Sequence, residues 1–137
     1  MLIEKLIVYA DASVRQECTG LGLAVRNARG KLLEWRGKPA PMMTNNEAEY
    51  AAIIFALELA LRYAPLELEL KSDSQVAIGQ LRGECVVKDE RLGVLNQRAL
   101  GLAQRFNKVI FTYIPRKQNY LADAIANVAS LTGEGEH

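Results

Sequence analysis

The 137-residue chain is poor in cysteine, with only Cys18 and Cys85, and has a single histidine, His137. The two thiols lie far apart and neither has a CxxC partner. That argues against a zinc site or a disulfide framework and leaves two free thiols in a reducing cytoplasm as the expectation. No apolar run approaches the ~20 residues that cross a bilayer, so no membrane partner is expected. The first residues, MLIEKLIVYADAS, lack a basic stretch followed by a small-residue cleavage site, and read as a strand rather than a leader. Repeats, linkers and low-complexity segments are also missing. The length suits one domain over residues 1–131, with 132–137 as a frayed tail.

Charge of either sign is scarce as an excess: the net charge is +1, which alone points to no polyanionic partner. Its distribution says more. Arg82, Lys88, Arg91, Arg98, Arg105, Lys108, Arg116 and Lys117 face only Glu84, Asp89 and Glu90 in the same stretch. Such a local excess suits a phosphate backbone, and equally suits a solvated helix face. Half of the residues are apolar and 24% charged, which is enough for a packed core.

Residues 2–10 form an apolar strand, and 20–27 and 31–38 form a hairpin turning at Ala28-Arg29-Gly30. A Pro-Ala-Pro segment, Pro39 to Pro41, closes the β region. Thr44 and Glu47 have capping-box spacing, and the helix they open runs to about Ala64, before Pro65. On it, Glu58 and Arg62 read as an exposed i,i+4 pair. Residues 66–70 alternate as a half-buried strand. Ser72 to Gln75 start a second helix, and a third spans about 89–106. Residues 108–114 are the fifth strand, and a last helix runs from about Asn119 or Tyr120 to Leu131. The order predicts an α/β fold: a mixed five-stranded sheet, its first three strands antiparallel and the later ones parallel to the first, flanked by helices.

Four carboxylates stand out. Asp11 follows the first strand at the sheet's carboxyl edge, where ligands bind in open α/β sheets, although a turn aspartate would look the same. Glu49 shares a helix face with Ala52, Ile53, Ala56 and Ala60, and a carboxylate facing a core costs several kcal/mol unless it is paired or ligates a cation. Asp73 follows the alternating strand, where it, Ser72 or Ser74 could be a helix cap. Asp123 lies in the first turn of the last helix, on a face with Ala126 and Asn127 opposite Leu121, Ile125 and Val128, and the helix dipole alone would favour an acid there. Together they could converge at one end of the sheet. Four such groups with no obligatory basic partner repel one another, and hard divalent cations relieve that repulsion.

With these residues in view, the sequence resembles the type 1 ribonuclease H family from Leu2 to about Leu131. The matching blocks are Val8 to Ser13 (VYADAS), Thr44 to Tyr50 (TNNEAEY), Ser72 to Gln75 (SDSQ) and Ile114 to Asp123 (IPRKQNYLAD). The last has the PRxxNxxAD form of archaeal and some bacterial members. The resemblance implies an endonuclease that cuts the RNA strand of an RNA/DNA hybrid, leaving 5′-phosphate and 3′-hydroxyl ends. Asp11, Glu49, Asp73 and Asp123 would hold two Mg²⁺ ions, for which Mn²⁺ can substitute. It places Thr44 on a DNA-strand phosphate and Asn45 and Gln75 in the minor groove, and adds Ser13, Asn46 and Lys88 to the substrate contacts. A monomer with no obligatory protein partner is expected. Three departures stand beside the match. The usual Asp-Gly-Ser reads Asp11-Ala12-Ser13, followed by a shortened loop at 14–19. No histidine precedes the last helix, which leaves Arg116 or Lys117 to help product depart. The tryptophan-bearing basic protrusion is replaced by residues 82–91, RGECVVKDER. Junction resolvases and related exonucleases use similar carboxylates with other motif blocks, and a hybrid-binding module without catalysis would gain nothing from the acidic quartet.

Overall fold

A computed structural model describes residues 2–132; the tail expected at 132–137, with His137, falls outside them except for the backbone of Thr132. The elements are β1 (Lys5–Val14), β2 (Thr19–Asn27), β3 (Leu32–Ala40), α1 (Asn45–Ala60), β4 (Glu67–Ser72), α2 (Gln75–Leu81), α3 (Glu90–Ala103), β5 (Val109–Tyr113) and α4 (Tyr120–Thr132). Short 3-10 turns occupy Leu61–Tyr63 and Arg116–Asn119. The sheet order is β3-β2-β1-β4-β5, with β1 to β3 antiparallel and β4 and β5 parallel to β1. This is the mixed sheet the element order predicts.

Alternation divides the sheet into two faces. Leu6, Val8 and Ala10 of β1, Leu21, Leu23 and Val25 of β2, and Leu68 and Leu70 of β4 are buried in one core with Tyr50, Ile53 and Leu57 of α1. α3 packs on the outside of α1, and α4 covers β2 on the opposite face. There the packing is unusually close. A methyl group built on Gly20 would lie 2.0 Å from the Ala126 carbonyl oxygen, and one on Gly22 would lie 2.4 Å from that of Ala122. Only glycine lets a helix backbone approach a strand so nearly.

That contact corrects the expected orientation of α4. Its buried side is small, made of Ala122, Ala126 and Ala129 with Ile125, while Val128 is exposed. Large apolar residues would hold the helix away from the glycines, so alanine, not leucine or valine, marks the inward face. Three other expectations change. β1 runs on to Val14, because it remains paired with β2 through Val14↔Thr19, so Asp11 lies within the strand. Pro39 lies inside β3 rather than after it, tolerated because β3 is an edge strand with no outer partner for a missing N–H. Glu58 meets Arg98 of α3 at 3.6 Å instead of Arg62; α1 gives way to the tighter turn at Leu61, which takes Arg62 off the i+4 row.

Candidate active site

The parallel pairing of β1 with β4 ends at Ala10↔Ser72. Asp11 and Asp73, one residue further along each strand, thus emerge together at the carboxyl edge of the sheet. Neither is a cap. Ser74 is the α2 N-cap, accepting the Ala77 N–H at 3.1 Å, and Ser72 accepts the Ser74 N–H at 3.1 Å. The two serines take over the local backbone duties and leave the Asp73 carboxylate for the site.

Glu49 reaches the same point from the first turns of α1. The capping box is complete: Thr44 Oγ1 accepts the Glu47 N–H, and Glu47 Oε1 accepts the Thr44 N–H. Next to Glu49, Tyr50 is buried and fixes α1 against its neighbours. Its hydroxyl donates to Gln80 of α2 at 2.7 Å and accepts from Asn96 of α3 at 3.1 Å.

One carboxylate oxygen from each of Asp11, Glu49 and Asp73 lies within 4.8 Å of the others. Asp123, from the first turn of α4, lies near enough for its carboxyl group to act on both Asp11 and Glu49. Three of the four carboxylates singled out in the sequence therefore form one cluster, with Asp123 of α4 nearby. Asp11 is only 4% exposed, and burial, then the charges of Glu49 and Asp73, push its pKa up to about 9. Burial, then Asp73, raises Glu49 to about 7. Glu49 Oε1 is buried with no hydrogen-bond partner among the described residues. An orphaned acceptor among crowded carboxylates fits a divalent cation, which would supply both the missing partner and the missing positive charge.

A pH dependence follows. Between the ordinary carboxylate range and pH 7–9, the folded protein holds protons that the unfolded chain has lost, so stability falls as pH rises through this window. The metal-free protein is expected to unfold at lower urea at pH 8 than at pH 5.5. Added Mg²⁺ should restore the midpoint at pH 8 and do little at pH 5.5, because metal must displace protons. A midpoint insensitive to Mg²⁺ at pH 8 would count against metal binding by this cluster.

Asn119, within the Ile114–Asp123 block, is a further residue of the site. It is 1% exposed, and its amide donates to the Ala10 carbonyl at 2.9 Å and to Asp73 Oδ1 at 3.2 Å. It ties the last turn before α4 to the ends of β1 and β4. Its place in the Ile114–Asp123 block was the one sequence signal, since its burial and its partners come only with the fold.

The other predicted residues lie outside the cluster. Thr44 and Asn46 line a groove of about 480 Å³ with Glu47, Asp89, Glu90 and Arg91, between the starts of α1 and α3. Asn45 and Gln75 are exposed at the first positions of α1 and α2. The Ser13 hydroxyl is engaged, donating to Asn127 of α4 at 2.7 Å. Lys88 and Arg116 are exposed, Arg116 at the start of the turn that carries Asn119. The basic stretch is partly neutralised: Arg82 meets Glu84, Arg98 meets Glu58 and Lys108 meets Glu67. Cys18 and Cys85 are both free, and no described helix is long and apolar enough to cross a membrane.

A family described as reverse transcriptase-like matches residues 9–129. The chain is similar to ribonuclease HI of Halobacterium salinarum, 36% identical over 109 residues, covering 80% of this chain and 55% of that protein. It is 31% identical over 128 residues to the bifunctional protein Rv2228c of Mycobacterium tuberculosis, covering 91% of this chain and 35% of that one. The chain thus spans about half of the first curated relative and about a third of the second. The crystal structure of the halobacterial RNase H1 superposes with a TM-score of 0.88 at 33% identity, covering 91% of this chain and 96% of that one. LC11-RNase H1, solved in complex with an RNA/DNA hybrid, gives a TM-score of 0.86 at 27% identity over 91% and 96% of the two chains.

Proposed function

Because the chain belongs to the type 1 ribonuclease H family, we propose that it hydrolyses the RNA strand of RNA/DNA hybrids, leaving 5′-phosphate and 3′-hydroxyl ends. The observation that carries this reading is the convergence of Asp11, Glu49 and Asp73 within 4.8 Å, with Glu49 Oε1 unpartnered. Asp11, Glu49, Asp73 and Asp123 would hold two Mg²⁺ ions, or Mn²⁺ in their place. Such ions would supply an activated water and stabilisation of the leaving 3′-oxygen. The two free thiols suit a reducing cytoplasm. A monomer suffices, since all four carboxylates come from one chain.

The chain's own residues position the substrate. Thr44 accepts a backbone N–H, which leaves its hydroxyl proton for a DNA-strand phosphate at the positive end of α1. Asn45, Asn46 and Gln75 present amides at helix starts, where they can read 2′-hydroxyls across a shallow minor groove. Lys88, the chain neighbour of Asp89 in the groove that Thr44 lines, adds a cation, and Ser13 acts through Asn127, holding the short β1–β2 turn against α4. Asn119 keeps Asp73 oriented, and Asp11 lies buried at the base of the cluster.

Cleavage of a labelled hybrid with Mg²⁺, and none with EDTA or on duplex DNA, tests the reading; an inert protein with Mg²⁺ and Mn²⁺ overturns it. Thr44→Ala is expected to cost about 1 kcal/mol of stability through the lost cap. It should also weaken hybrid binding more than binding of duplex RNA. If stability falls and selectivity holds, Thr44 is a cap and nothing more. Arg116 keeps its charge at any working pH and can grip phosphate oxygens, but cannot shuttle a proton. Arg116→Ala should lower turnover more than affinity, and Arg116→Lys should recover part of it. Unchanged turnover on a short hybrid would remove Arg116 from the site.

A further inference from the structure

The sheet carries a second cleft, on its α4 side, that the carboxylate cluster does not use. Its floor is Tyr9 of β1 and Ala24 of β2; Arg26, in the β2–β3 hairpin, forms one wall, and Gln118 and Tyr120 form the other. The volume is about 290 Å³, at the small end of the range for ligand pockets, and suits one base with its sugar better than a larger ligand. No acid lines it among the described residues. Arg26 spends one N–H on the Gly30 carbonyl at 2.9 Å and keeps the rest of its fork for an anion. Lys71 of β4 lies 5.3 Å from the centre of the Tyr9 ring, so a second cation flanks the floor. Tyr120 is 67% exposed, an aromatic face left to water in the cleft that Arg26 also lines.

The cleft backs directly onto the carboxylates. Gln118 and Tyr120 flank Asn119, whose amide holds Ala10 and Asp73, and Tyr9 and Lys71 precede Ala10 and Ser72, the last parallel-paired residues. Aromatic faces alternating with cations are what sequence-tolerant sites for single-stranded nucleic acid use.

We propose that this cleft binds one nucleotide, its base against Tyr120 and its phosphate on Arg26 and Lys71, and that it takes a nucleotide of the RNA strand released beside the cleavage site. The second part rests on the proposed nuclease activity; the first does not. The test is protein-detected NMR in the absence of divalent cations, so that neither probe is held through metal at the acidic cluster. Adenosine 5′-monophosphate and a short oligoadenylate are titrated separately, following the amides of Ala24, Gly30 and Leu121. Both probes should shift these amides, with the oligoadenylate saturating at lower concentration. Tyr120→Ala and Arg26→Met, the latter keeping the apolar stem, should each weaken binding roughly tenfold with the melting temperature retained. Equal saturation by the two probes overturns the released-strand role and leaves a site for a free nucleotide. No shift at these amides, or shifts indifferent to both substitutions, overturns the cleft as a nucleotide site. A protein that fails to cleave hybrids yet shows the shifts overturns the released-strand role alone, so the two failures are told apart.

Discussion

Asp73→Asn is expected to abolish hybrid cleavage, by a factor of roughly a hundred to a thousand or more, in a protein that still folds and still binds hybrid. The substitution preserves shape. The new amide oxygen can accept the Asn119 N–H that Asp73 accepts now, and Ser72 and Ser74 continue to make the turn and the cap without help from position 73. What is lost is one negative charge where Asp11 and Glu49 already crowd each other. That loss removes affinity for a divalent cation, and it also removes a repulsion that raises both neighbours. The metal-free variant should therefore be as stable as the parent at pH 8, or more so, while Mg²⁺ stabilises it less. Single-turnover cleavage and thermal melts with and without Mg²⁺ check both halves. Activity within a few-fold of the parent would remove Asp73 from the metal site, and an unfolded variant would show that its charge is structural.

The largest stability effect is expected at Gly20. A methyl group there meets the backbone oxygen of Ala126 at 2.0 Å and the Ser130 nitrogen at 2.4 Å. Backbone cannot rotate away as a side chain can, so α4 must lift. Overpacking of this kind costs about 3 kcal/mol, and because α4 carries Asp123, hybrid cleavage should fall with stability. The control is Gly101 in α3, where a methyl group meets nothing within 4 Å. Gly101→Ala should stabilise the protein by about 1 kcal/mol through helix propensity. Urea denaturation of both variants decides the matter: a Gly20→Ala protein within 1 kcal/mol of the parent would mean that α4 does not sit so close in solution.

Gly20 and Gly22 mark the boundary of what the sequence discloses. Periodicity and capping chemistry are local, so the strands, the Thr44–Glu47 box and the inward-facing stripe of Glu49 could be read directly. The carboxylates could be named because a charge on an apolar stripe, or just past a buried strand, is out of place whatever the neighbours are. What stayed hidden depends on partners distant in sequence. Asn119 looks like any polar residue before a helix until Ala10 and Asp73 arrive beside it. The inward side of α4 could not be read from the helix alone, because its preference for alanine is set by Gly20 and Gly22, about a hundred positions earlier. Asp11 appeared to end its strand because the paired extension to Val14 is dictated by β2, not by residues 11–14 themselves.

The seating of α4 on β2 has a consequence for biosynthesis. A ribosome delivers Asp11, Glu49 and Asp73 early, and β1, β2 and β4 can assemble around them before α4 has been made. Asp123 arrives with the last described helix, and it reaches the others only when that helix docks on glycines synthesised some hundred residues before. Until then the nascent chain holds three acids and no fourth, and the strand face that receives α4 is open to water. Docking of α4 thus does two things at once: it closes that strand face and brings the fourth acid to the other three.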